Sequence, residues 1–192
     1  MKRERAKYLK EMEIGGILFC SLYSIFAGRL YELSGKGLLG VLFGSVNNSP
    51  WECVKPLLLS YLLWGILEAL SLQPSIHRLT CAKTFSLYLM AAVLLSGGLI
   101  LRLCGLETCS AAFRALCLFS LCLSAAVSYV LFNSRIDFSL FFAPCVCLLF
   151  LFLACYFSLT PFPLKNILFM DSKTEMYGLI PAYFDAGAFC SV

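Results

Sequence analysis

The densest group of chemistry-bearing residues in this chain is Asn47-Asn48-Ser49-Pro50-Trp51-Glu52-Cys53-Val54-Lys55. One reading of it is a helix start. Ser49 can serve as the N-cap, its hydroxyl accepting an amide N–H, and Pro50 occupies the first helical position, where a missing N–H costs nothing. Glu52, three residues after the cap, can reach back to complete a capping box. Trp51 suits a membrane–water boundary, and Lys55 lies one turn beyond Glu52, within ion-pairing reach. The other reading is a polar pocket, in which the positive helix end, Glu52 and Lys55 receive an anion, although Glu52 itself competes for that place. A second acid, Glu68, stands inside an apolar run. A charge near the middle of a bilayer costs roughly 2.5–3.5 kcal/mol, so such side chains face protein or water and often have a task. Tyr61, Trp64 and Glu68 share one helix face at i, i+3, i+7, whereas Glu52 is turned about 160° away from Glu68. A straight carboxylate relay along this helix is therefore disfavoured. Glu68 reads either as a paired acid within a bundle or as a proton- or cation-coupled site.

The elements that must position these residues are apolar. The chain has 192 residues, 60% hydrophobic and 14% charged, with net charge +4 and mean hydropathy +0.86. Soluble domains run nearer 45–50% apolar and about 25% charged. The departure excludes an ordinary cytosolic enzyme, a disordered chain and a nucleic-acid binder. It predicts an all-α integral membrane protein: a bundle of about five transmembrane helices near 14–33, 54–72, 84–103, 113–132 and 139–159. These form one domain over 1–160, leaving no room for a separate soluble domain, followed by an extramembrane tail over 161–192. Gly35–Asn48 is too short and glycine-rich to cross and reads as an interfacial or re-entrant loop. Lys2, Arg3, Arg5, Lys7 and Lys10 predict a cytoplasmic N-terminus by the positive-inside rule. His77, Arg78 and Lys83 then fall in a cytoplasmic loop after the second span, Arg135 in the next, and the tail outside. Lys36 and Lys55 fall outside, against the rule. A cleavable signal peptide over residues 1–28 is the rival reading, disfavoured by the long charged start and by Arg29.

If the first two spans are neighbours, Arg29, Tyr31, Glu32, Asn47, Ser49, Trp51, Glu52 and Lys55 form an outer polar cluster, either a binding pocket or an ion-paired staple. The tail can cap it through Phe169, Asp171, Thr174 and Tyr177, with Asp171-Ser172-Lys173-Thr174 reading as a turn. Arg102 and Arg114 read as anchors of helix ends, and Gly97-Gly98 permits close helix contact. The 11 cysteines include no C-x-x-C and mostly pack as small hydrophobes. Cys104 and Cys109 would form a disulfide only if the compartment allows it. No phosphate loop, dinucleotide fingerprint, zinc-protease motif or nucleophile elbow is present in the sequence. No catalytic residue, metal site or cofactor is predicted.

This stretch resembles a family of small bacterial polytopic membrane proteins of unknown function marked by N-E-S-x-W-E-H-x-K. Asn47, Ser49, Trp51, Glu52 and Lys55 match; Asn48 stands where the family has Glu, and Cys53 where it has His. Tyr31-Glu32 with Ser34-Gly35 is similar to the family's Y-E-x-S-G, and Glu68 falls where the family has an acidic residue. Phe169, Asp171, Thr174, Tyr177 and Gly178 follow its F-x-D-P-x-T-G-x-Y-G ending, with Ser172 and Glu175 in place of Pro and Gly. A family histidine near Gly28 is missing too. If those two histidines bound metal or carried protons, this chain has lost both.

Three functions remain in view: a small ion- or proton-linked transporter or channel-like protein using Glu68 and the outer cluster; a membrane-embedded binder or enzyme for a lipid or isoprenoid; and an accessory subunit whose polar groups only hold helices together. The partners implied are the lipid bilayer of the plasma membrane and a small ion or lipid ligand, with no nucleic acid. The oligomeric state is open.

Overall fold

Long apolar runs cannot leave backbone N–H and C=O groups unpaired in hydrocarbon, so they fold as helices. A computed structural model describes residues 2–71, 76–106, 110–171 and 174–178, with side chains from Tyr8 onward. Its helices are α1 (Lys2–Gly28), α2 (Leu30–Leu33), α3 (Leu38–Phe43), α4 (Pro50–Ser71), α5 (Ile76–Leu103), α6 (Ala111–Asn133) and α7 (Phe142–Ser158). Among the described residues, four helices are long and apolar enough to cross a membrane: α1 over Tyr8–Gly28, α4, α5 and α6. The chain therefore fits a membrane-embedded helical bundle. The fifth expected span corresponds to α7, which is apolar but only 17 residues long. At 1.5 Å per residue it measures about 26 Å, at the lower limit for a crossing.

Two boundaries differ from the sequence reading. The first span ends at Gly28, not near residue 33. The Arg29 amide turns back to the Phe26 carbonyl at 3.1 Å, and Leu30–Leu33 forms a separate turn. Gly35 and Lys36 then reverse the chain with left-handed φ of 62° and 61° and lead into α3. The third span begins at Ile76, eight residues before position 84. His77, Arg78 and Lys83 are thus on a helix, not in a loop. Arg78 caps carbonyls at the end of α6, Nη1 donating to Phe132 O (3.4 Å) and Nη2 to Ile136 O (3.3 Å). Lys83 tolerates burial because two carboxylates meet it.

α5 is central, packing on α4, α6 and α7, while α1 packs on α4 and α6. Leu58, Leu87, Met90, Leu94 and Leu121 fill the seam. Close approach of α5 and α6 requires Gly97, where a Cβ would stand 2.6 Å from Leu116 Cδ2. The glycine contact expected for helix association is thus made inside the chain. Outward faces of α1, α6 and α7 expose Leu18, Leu22, Phe119, Val130 and Phe150. A water-soluble surface rarely carries such a belt; hydrocarbon accepts it without cost.

Candidate functional site

Two buried charged clusters occupy opposite ends of α4. At the Pro50 end the Ser49 cap forms: Ser49 Oγ accepts the Glu52 N–H at 3.3 Å. The second half of the capping box does not form. The Ser49 N–H donates to Asn47 Oδ1 (2.9 Å), and the Glu52 carboxylate is drawn elsewhere. It accepts from Val46 N (3.1 Å) and Thr160 Oγ1 (2.7 Å), and Oε2 lies 3.2 Å from Lys55 Nζ. Lys55 Nζ also donates to Val41 O (2.9 Å) and Thr160 Oγ1 (2.8 Å). An ammonium has three donors, and Glu52, Val41 and Thr160 use all three. Thr160 accepts from one ion and donates to the other. Glu52, Lys55 and Thr160 are all buried, and Lys55 Nζ sits 5.5 Å from the Tyr156 ring centroid. With its donors spent, this group ties α3, α4 and the segment after α7 together.

The tail closes over it. Asp171 Oδ1 accepts the Asn48 N–H (2.9 Å), while Oδ2 accepts from Thr174 N (3.0 Å) and Thr174 Oγ1 (2.6 Å). Asn47 Nδ2 donates to Gly178 O (3.0 Å), and Tyr177 pairs with Met170 in an antiparallel bridge. Arg102 reaches from α5 to hold the carbonyls of Ile167 (2.9 Å) and Met170. Trp51 is buried against Phe169, ring centroids 5.7 Å apart. A ring of the tail thus covers the indole. The remaining cluster members stand aside: Arg29 and Glu32 are exposed. Tyr31, Glu32, Asn47 and Asp171 line a polar cavity of about 240 Å³. Position 109 of the Cys104–Cys109 pair, and positions 172–173 of the tail turn, lie outside the described residues.

At the Ser71 end, Glu68 is fully buried and meets two further charges. Lys83 Nζ on α5 lies 2.7 Å from Glu68 Oε2, an ion pair off the hydrogen-bond direction, and donates to Glu13 Oε1 on α1 at 2.8 Å. Trp64 Nε1 donates to Glu68 Oε1 (2.8 Å) and to Met12 O (3.1 Å). The Lys83 ammonium also lies 4.9 Å from the Tyr61 ring centroid. Tyr61, Trp64 and Glu68 thus work from the one face their spacing predicts. A cavity of about 100 Å³ adjoins the ammonium, lined in part by Tyr61, Thr80 and Lys83. Three helices contribute one charge each: two carboxylates and one ammonium.

Glu13, Lys83 and Thr160 are the residues that sequence reasoning missed. Glu13 and Lys83 look like boundary charges flanking apolar runs. The available signal was charge balance, since a buried Glu68 needs a cation, and Lys83 is the first lysine after it. Thr160 carries no local signal, because its role exists only across 105 and 108 residues of chain. Among the described residues, no three His, Cys, Asp or Glu side chains converge as metal ligands do. No protein-family model, curated protein or solved structure matches the chain.

Proposed function

We propose that this is a small multi-pass protein of the bacterial plasma membrane whose activity is linked to a proton or monovalent cation. In this reading the Glu13–Lys83–Glu68 triad is the ion site. The bacterial setting rests on the motif resemblance alone. The observation that carries the ion reading is the charge count of the triad. Among the described residues, two carboxylates surround one buried ammonium, and that set is neutral only with one further positive charge. An uncompensated buried charge costs several kcal/mol, so a proton or small cation belongs there. Ionisable residues inside membrane bundles mark such relays. Because α1, α4 and α5 each supply one member, gain or loss of that charge bears directly on how the three helices pack. The adjoining cavity gives the exchanging species room beside the ammonium.

The experiment is flux through proteoliposomes. Protein is reconstituted with an internal pH-sensitive dye, and proton, Na⁺ and K⁺ gradients are imposed in turn. The wild-type chain dissipates one of them faster than empty vesicles, and Glu68→Gln removes the excess while the protein still elutes as a folded species. Equal flux through wild type and Glu68→Gln, or wild-type flux no greater than empty vesicles, overturns the proposal. The saturated Glu52–Lys55–Thr160 group supports a different part for the other end of α4, that of a structural staple.

A further inference from the structure

Next to the staple, α1, α4 and α6 leave a cleft of about 400 Å³, within the range of small-molecule sites (roughly 300–1,000 Å³). Its interior is mainly apolar, with Leu57 and Pro56 of α4 on the floor and Cys117 and Leu121 of α6 on one wall. Ile25 on α1 and Leu118 on α6 also line it, and both are largely exposed, at 66% and 53%. The cleft therefore opens sideways, where the bundle meets hydrocarbon. Its other end is polar. Arg114, exposed at the first turn of α6, lines it together with Asn48 and Ser45. Asn48, Ser45 and Gly28 also line the polar cavity of about 240 Å³ that holds Glu32 and Asp171. The two spaces thus share Gly28, Ser45 and Asn48 as a common wall. The apolar cleft carries a guanidinium, and the polar cavity beside it carries two carboxylates.

That combination of an apolar slot, a cation and neighbouring acids matches one class of amphiphile. We infer that the cleft binds a phospholipid whose head carries a phosphate beside the chains and a primary ammonium beyond it. A chain enters between Ile25 and Leu118. The phosphate lies against Arg114, whose planar donor fork suits phosphate oxygens. The ammonium enters the polar cavity towards the exposed Glu32, with the hydrogen-bonded Asp171 adding negative charge from the cavity wall. Charge complementarity sets the head-group preference, and burial of the chain supplies the non-specific part of the affinity. The site does not use the triad at the other end of α4, so its test is independent of ion flux.

The test uses the full chain in nanodiscs of defined composition, released into native mass spectrometry. The probes are phosphatidylethanolamine, phosphatidylglycerol and phosphatidylcholine, competed pairwise. One phosphatidylethanolamine per chain stays bound under conditions that strip the other two. Arg114→Gln lowers its retention about tenfold, the loss of one charge-assisted contact. Glu32→Gln abolishes the preference for phosphatidylethanolamine over phosphatidylglycerol but leaves phosphate-dependent retention in place. Both side chains are exposed, so both variants keep the wild-type unfolding temperature. Retention of the three lipids in proportion to their abundance overturns the inference, as does an unchanged lipid profile in both variants. Retention of a non-phosphate amphiphile in the cleft overturns it as well.

Discussion

Removing the ammonium of the triad should cost far more than removing either carboxylate. At 2.7–2.8 Å from each acid and an effective dielectric of about 20, each attraction is about 6 kcal/mol gross. Most of that is offset by the desolvation of the ions. Lys83→Met leaves Glu13 and Glu68 facing each other with no cation, and the expected loss is about 3–5 kcal/mol, as for other broken buried pairs. Glu13→Gln leaves a balanced Lys83–Glu68 pair and a carbonyl oxygen for Lys83, so about 1 kcal/mol or less is lost. Glu68→Gln lies between. The Glu68 carboxylate meets two donors, Trp64 Nε1–H and the Lys83 ammonium, and an amide offers only one oxygen. One donor then faces an NH₂ group, at about 1–3 kcal/mol. The triple variant Lys83→Met/Glu13→Gln/Glu68→Gln should recover much of the loss, because no charge remains to be neutralised. The assay is thermal unfolding in mild detergent, followed by tryptophan emission and by the folded fraction on size exclusion. Lys83→Met as stable as Glu13→Gln, or a triple variant no better than Lys83→Met, would refute the charge-balance reasoning.

Further outcomes follow from individual side chains. Thr160→Val removes the hydroxyl between Lys55 and Glu52 and should lower stability by about 1–3 kcal/mol, with Thr160→Ser retaining most of it in the same unfolding assay. Gly16→Ala places a methyl 2.5 Å from Trp64 Nε1, which must push the indole away from Glu68. About 1–3 kcal/mol of overpacking and a shift in tryptophan emission are expected, readable because Trp51 is the only other tryptophan. Tyr156→Phe deletes a buried hydroxyl that has no hydrogen-bond partner among the described residues and should be neutral or stabilising. Tyr88→Phe loses a 2.8 Å bond to Leu148 O and should cost about 1 kcal/mol. Equal effects of the two tyrosine changes on the unfolding temperature would contradict the assignment.

Much of this architecture follows from the sequence, and the reason is solvent. A chain with 60% apolar residues in long uncharged runs can satisfy its backbone in lipid only as helices, so class and approximate segments follow from composition and length. The Ser49-Pro50 helix start follows as well, because capping is settled within four residues. So does the Tyr61–Trp64–Glu68 face, because 3.6 residues per turn is a local geometry. What the one-dimensional pattern misjudged were charges. Lys83 and Glu13 look like flanks of spans because each alone is too costly to bury; together with Glu68 they are affordable inside. Glu52 could close its own capping box, yet Lys55 and Thr160 offer it stronger partners. Trp51 would suit an interface, but Phe169 covers it. The cleft between α1, α4 and α6 is a void between helices, and no residue pattern encodes the space left among three elements. The solvent this protein is built for and the starts of its helices depend on neighbours along the chain, and so can be read directly from it. Which buried charges meet, and which polar ends remain open, depends on groups brought together from distant parts of the chain, and so is settled by the fold.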